Sequence, residues 1–181
     1  EEFASRCAEN LRKLILNEGP ETIAAFFAEP VMGGGGVIPP PATYFEKIQP
    51  ILKEYDILFL ADEVICGFGR TGNMFGTETY DLNPDMISVA KALSSGYLPI
   101  SALMVSDEIF QLMVAESEKI GVFGHGYTYG GHPVPCAVAL ETMNIYEDMD
   151  LVGHVQKTAP ALQEGLAKLA DHPLVGEARG A

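Results

Sequence analysis

Apolar residues recur at helical spacing through Phe3, Cys7, Leu11, Leu14 and Ile15, so residues 3–17 read as an amphipathic helix that Gly19-Pro20 ends. Ile23 to Ala28 is a short apolar run before Glu29-Pro30 and suits a buried strand. The four glycines Gly33 to Gly36, followed by Pro39-Pro40-Pro41, predict a loop without regular structure. Residues 43–55 set Phe45, Ile48, Ile51 and Leu52 on one face, a second helix with Thr43 as its N-cap. Ile57 to Ile65 is another apolar run, interrupted by Asp62-Glu63. Residues 66–85, rich in Gly, Thr and Asn, predict an irregular segment; Met86–Ala90 and Ile100–Val105 read as a third and a fourth strand. Beyond them come a helix over 107–119, a glycine-punctuated loop over 125–132 and a long helix entered through Pro133 and reaching about Glu147. A last amphipathic helix over 151–170 carries Leu151, Val155, Leu162, Leu166 and Leu169.

Strand–helix–strand order argues for an α/β fold with a parallel sheet covered on both faces. The link from Lys91 to Pro99 contains Gly96 and is too short for the dozen or so residues of a parallel crossover. The fourth strand is therefore expected to run antiparallel to the third.

The 181 residues, 48% of them hydrophobic, suit one domain or one domain plus part of another. A formal net charge of −14 argues against a nucleic-acid footprint and is read first as a solubility feature. It does not exclude an anionic ligand, which backbone N–H groups hold inside acidic proteins. Cys7, Cys66 and Cys136, an odd set with no C-x-x-C spacing, predict neither a disulfide framework nor a zinc site. Cys66 and Cys136 lie in apolar or glycine-rich surroundings and are expected to be buried, reduced thiols. No apolar run reaches the roughly 18 residues that span a bilayer, and no signal peptide is visible, so the expected location is cytoplasmic. The chain opens on Glu1 inside an amphipathic pattern and stops directly after a glycine, and so is expected to be a fragment.

Chemistry concentrates at two strand ends. Asp62-Glu63 closes an apolar strand, where open α/β sheets bind ligands. That pair also resembles a Walker B segment, but Gly67 to Gly72 is followed by Asn73-Met74, not the Lys-Ser/Thr that a P-loop needs. Gly67-Phe68-Gly69-Arg70-Thr71-Gly72 is a formal G-x-G-x-x-G, yet residues 73–84 make a poor helix, so glycines turning the chain is the better reading. Lys91 ends the third strand. Burying an ammonium is costly unless it is neutralised or paired, and a lysine meant to attack an aldehyde benefits from such a place. The bland reading, a lysine snorkelling to water, weighs the same for this residue alone. The pair is worth more than either member. Pyridoxal phosphate needs a lysine for its aldehyde and a carboxylate facing its ring nitrogen, and Lys91 with Asp62 supplies both. His125 and His132 lack neighbouring acidic or thiol ligands, so loop residues rather than a metal site are expected there; His154 and His172 read as surface residues.

Four ordered segments make a specific resemblance: Glu29-Pro30-Val31-Met32-Gly33; Leu60 to Gly72; Ala90-Lys91-Ala92-Leu93-Ser94-Ser95-Gly96-Tyr97-Leu98-Pro99; and His125-Gly126-Tyr127-Thr128-Tyr129-Gly130-Gly131-His132-Pro133. They are similar to class III (omega) aminotransferases, and the likeness runs on through residues 172–180. The resemblance implies the large domain of a fold type I pyridoxal-phosphate transferase over residues 1–147, a mostly parallel sheet with one antiparallel strand, and the start of a C-terminal small domain over 148–181. It implies that Lys91 forms the Schiff base and shuttles the proton between substrate Cα and the cofactor. Asp62 would pair with the pyridine nitrogen, Val64 pack on a ring face, and Thr128 bind the cofactor phosphate of the neighbouring subunit of a homodimer. Glu29 would lie beside the site. The family's other phosphate loop and ring-stacking aromatic would precede Glu1, and its substrate-binding arginine would follow Ala181; that role is not carried onto Arg179. The implied activity is ping-pong transfer of an amino group from an amine or amino acid to an oxo acid, with pyruvate the favoured acceptor. A family aminomutase or decarboxylase shares the Asp and Lys, and a non-catalytic binding or dimerisation module is the alternative from another class.

Overall fold

The computed structural model describes all 181 residues. The chain opens with helix α1 (Glu2–Glu18), which a short 3-10 turn (Pro20–Thr22) links to strand β1 (Ala25–Ala28). Helix α2 (Tyr44–Glu54) leads to β2 (Leu58–Asp62), and β3 (Met86–Val89) and β4 (Ala102–Val105) complete the sheet. One turn of helix, α3 (Gly76–Thr79), lies within the segment expected to be irregular. Helices α4 (Asp107–Ile120), α5 (Pro133–Asp148) and α6 (Leu151–Ala167) follow.

The sheet order is β1-β2-β3-β4, with β1, β2 and β3 parallel and β4 antiparallel to β3. The short link after β3 has this outcome because a 3-10 turn (Lys91–Ser94) reverses the chain and leaves no room for a crossover helix.

Side chains alternate along each strand, so the register sorts the sheet into two faces. Phe26, Phe59, Ala61 and Ile87 point to one, where they pack with Ala8 and Ile15 of α1 and Phe45, Ile48, Ile51 and Leu52 of α2. Phe45 and Phe59 stack with centroids 6.2 Å apart. Arg12 of α1 donates to Glu54 Oε1 at 2.6 Å and to the Tyr55 hydroxyl at 3.1 Å, which ties the two helices at the rim and holds the Glu54 carboxyl below the usual carboxylate range. A second cluster (Phe68, Val89, Leu93 and Ala139) fixes α5 against the ends of the strands. The other face carries Phe27, Leu60, Asp62, Ser88 and Leu103 in register, with Phe27 61% and Leu103 55% exposed.

Three local expectations change. Thr43 does occupy the N-cap position of α2, but it sits left-handed at φ 65° and its side chain caps nothing; its hydroxyl oxygen is buried without a partner. Cys66 is buried as expected, but Cys136 lies on the solvent side of the first turn of α5 and is exposed. The four glycines form a tight hairpin, closed by Met32 and Ile38 exchanging backbone bonds of 3.1 and 3.0 Å.

Candidate active site

The register puts Asp62, the last residue of β2, directly beside Ser88 of β3. Both point to the face away from α1 and α2, and Ser88 Oγ donates to Asp62 Oδ1 at 3.3 Å. The chain turns at once after Asp62, and the Val64 N–H donates to the same Oδ1 at 3.0 Å. Two donors therefore hold one carboxylate oxygen, and Oδ2 keeps its lone pairs for a donor from outside. Asp62, Val64 and Ser88 form one half-buried constellation. No motif in the sequence points to Ser88; its signal is the two-residue alternation that places it on Asp62's face once the register is known.

Glu63 has a different fate. It is fully buried, and its carboxylate accepts from Gly76 N–H at 2.9 Å and Thr77 N–H at 2.6 Å, which satisfies the open end of α3. Asp-Glu thus splits into one acid for the crevice and one for the fold. Cys66 packs next to it, its thiol donating to the Val31 carbonyl at 3.4 Å, and burial pushes that thiol up from its ordinary range.

Lys91 stands three residues beyond Ser88, about 10 Å along the strand direction at the usual rise. Its backbone is left-handed at φ 47°, a conformation that costs a non-glycine residue about 1 kcal/mol and persists only where the surroundings enforce it. Here they do. Leu93 N–H bonds to the Ala90 carbonyl at 3.0 Å and Gly96 N–H to the Lys91 carbonyl at 3.3 Å. Ser94 Oγ reaches the Leu98 carbonyl at 2.5 Å, and the Tyr146 hydroxyl of α5 donates to the Ala92 carbonyl at 2.8 Å. Leu93 is buried in the second cluster while Lys91 itself is exposed at the strand end. The amine makes no ion pair with Asp62, whose carboxylate is engaged by Val64 and Ser88. Tyr146 has no sequence signal for its part in this turn, since it lies 54 positions from the carbonyl it holds.

Thr128 lies apart from this group. It is exposed in the loop before α5, between Tyr127 (75% exposed) and Tyr129 (80% exposed). Ala139 is the first α5 residue buried in the second cluster, so about 9 Å of helix separates that anchor from Pro133 and carries the loop outward. Glu29 follows β1 and accepts the Gly33 N–H on Oε2 at 2.9 Å, so it braces the glycine hairpin. His125 and His132 are exposed; His125 stacks on Phe123, and His132 Nδ1 accepts the Val134 N–H as the N-cap of α5. Over residues 67–74 the chain turns through positive φ at Phe68, Gly69 and Gly72, as expected of glycines turning the chain. A groove of about 960 Å³ lies at the opposite end of the sheet, against Leu58, Phe59 and Asp85, and takes in none of Asp62, Val64, Ser88, Lys91 or Thr128.

The residues fit pyridoxal phosphate on one specific count: a carboxylate with one oxygen fixed and one free, on the same sheet end as a lysine held in a strained turn.

Comparison with known proteins agrees. The family model described as aminotransferase class III matches residues 1–181. Gamma aminobutyrate transaminase 3, chloroplastic, of Solanum lycopersicum is 63% identical over 180 residues, 99% of this chain and 35% of that protein. A solved structure of a transaminase with L-alanine superposes with a TM-score of 0.98 at 55% identity, covering 100% of this chain and 43% of the other. The omega transaminase from Pseudomonas jessenii in complex with PMP gives 0.97 at 53% identity, covering 99% and 40%. The chain thus spans little more than a third of the curated relatives' length.

Proposed function

Because the chain belongs to the class III aminotransferases, we propose that the protein it forms part of transfers an amino group from an amine or amino acid to an oxo acid, with pyridoxal phosphate as its cofactor. The observation that carries this reading is the paired strand end, Asp62 with a free Oδ2 and Lys91 three residues past its register partner.

When bound, the cofactor supplies an aldehyde for the amine and a ring that takes up the electron pair released at the substrate Cα. The rest is the protein's work. Asp62 Oδ2 would accept the ring N–H, and the Val64 and Ser88 donors on Oδ1 keep the carboxylate from swinging away. Lys91 Nζ would hold the cofactor and carry the proton to and from the substrate Cα, with the turn fastened by Tyr146 fixing its base. Val64 would cover one ring face. Thr128 reaches the phosphate of the neighbouring subunit; its place on an outward loop between two exposed tyrosines favours such a role in trans. The homodimer is part of this proposal, as are the division at residue 147 and a cytoplasmic location.

Pyruvate is the favoured acceptor. A relative named as a gamma aminobutyrate transaminase and a similar structure solved with L-alanine, the amine that pyruvate yields, support an omega-amino donor and that acceptor. The test is full-length protein with γ-aminobutyrate and pyruvate, following alanine. Alanine formed in proportion to donor consumed supports the reading. Donor consumption that ignores every oxo acid offered would point to a decarboxylase or aminomutase.

A further inference from the structure

The glycine hairpin over residues 32–38 is held from two sides. At its root, Gly33 donates to Glu29, and its bare Cα lies so close to Ile65 that an added Cβ would meet Ile65 Cγ2 at 2.6 Å. Val31 accepts the Cys66 thiol, and Pro30 packs on Gly76 so closely that a Cβ there would lie 2.8 Å away. The root is therefore seated on the turn that directly follows Asp62. At its tip, the Arg179 guanidinium donates from Nε to both the Gly36 and the Val37 carbonyls, each at 3.1 Å, and Nη1 pairs with Glu177. Gly36 has φ 111°, and a Cβ added there would lie 3.1 Å from Arg179 Nη2, so a side chain at this position would crowd the guanidinium.

A run of four glycines has no side chain with which to hold itself and loses much freedom on ordering. Arg179, 143 residues from Gly36, supplies the missing anchor with its single Nε–H, shared between the two carbonyls, while Nη1 is taken up by Glu177. Its own stretch beyond the 3-10 turn at Lys168–Asp171 has no regular structure, and Gln163 Nε2 to the Ala181 carbonyl at 3.1 Å is its other tie.

We propose that Arg179 is a positioning residue: it latches the C-terminal segment onto the glycine hairpin and through Gly33, Glu29 and Ile65 sets the turn that presents Asp62 and Val64. The latch rests on the strand-end site being the cofactor site. Its partners are exposed and its donors few, so it can open without unpacking either core cluster.

The experiment uses full-length protein with Arg179→Ala and Arg179→Lys. Without added cofactor, hydrogen exchange of peptides covering 33–38 and 62–66 should rise about tenfold in Arg179→Ala, the size expected for losing charge-assisted bonds, while α2 stays protected. Arg179→Lys should restore part of that protection. The dissociation constant for pyridoxal phosphate should rise about tenfold, while kcat at saturating cofactor stays within about twofold. Unchanged exchange in both peptides overturns the latch. So does a rise spread evenly over α2 and the sheet, which would mark a residue of general stability. Failure of the wild type to take up pyridoxal phosphate would sink the site reading instead, and the exchange arm would still decide whether Arg179 holds the hairpin and turn.

Discussion

Adjacent carboxylates at the end of β2 serve opposite faces of the sheet because side chains alternate along a strand. Asp62 keeps an oxygen free in the crevice, whereas both Glu63 oxygens are consumed by the Gly76 and Thr77 N–H groups. Their substitutions should therefore separate cleanly. In Asp62→Asn the amide can still accept from Val64 and Ser88, but its NH2 cannot accept a ring N–H; cofactor should stay bound while kcat falls about a hundredfold or more. Glu63→Gln should instead lower unfolding free energy by roughly 1–3 kcal/mol with kcat changed little. Denaturant melts and steady-state kinetics on the same two variants check both. From the sequence, Asp62 is the acid expected in the crevice, and Glu63 has no separate task; its part in ending α3 is visible only in the fold, because Gly76 and Thr77 lie 13 and 14 positions away.

At the scale of elements, most of the sheet was legible. Apolar runs located all four strands, and the length of the Lys91–Pro99 link foretold the antiparallel β4. What stayed hidden depends on long-range contacts. The left-handed backbone of Lys91 is unusual for a lysine and is imposed by a 3-10 turn that Tyr146 fastens from α5. The α3 turn inside a Gly- and Thr-rich stretch forms because Glu63 ends its open N–H groups. Thr43 looked like a cap by composition, but Tyr44 bonds to Pro41 and the chain enters α2 left-handed, which turns the hydroxyl away. Tyr146→Phe removes one hydrogen bond without a cavity, so it should cost about 1 kcal/mol in thermal or urea unfolding. It should also lower kcat more than Glu63→Gln does, since it loosens the turn beneath Lys91.

For the whole molecule, the exposed surfaces speak together. Phe27 and Leu103 lie on the sheet face that carries Asp62, and Tyr127 and Tyr129 flank Thr128 on a loop that α5 carries outward. Apolar surface of this extent marks contact with further protein. The homodimer proposed above would supply part of that contact. The proposal that Thr128 serves the neighbouring subunit's site makes a quantitative prediction. Inactive full-length Lys91→Ala and Thr128→Ala variants, unfolded together and reassembled, should regain about a quarter of wild-type activity, because half the dimers then hold one intact site of two. No recovery in dimers shown to have exchanged subunits would place Thr128 in its own chain's site or in none. Sequence alone supplied Thr128 by its motif; that its loop is exposed and precedes the buried anchor of α5 at Ala139 became visible only in the fold.

The claim on which the rest stands is that Lys91, on the same sheet end as Asp62, holds the cofactor. Borohydride reduction of full-length protein loaded with pyridoxal phosphate, followed by peptide mass mapping, addresses it most directly. One stoichiometric pyridoxyl adduct is expected, on Lys91, and it should be lost in Lys91→Ala. An adduct confined to any other lysine, such as Lys53 beside the groove at the far end of the sheet, would contradict it.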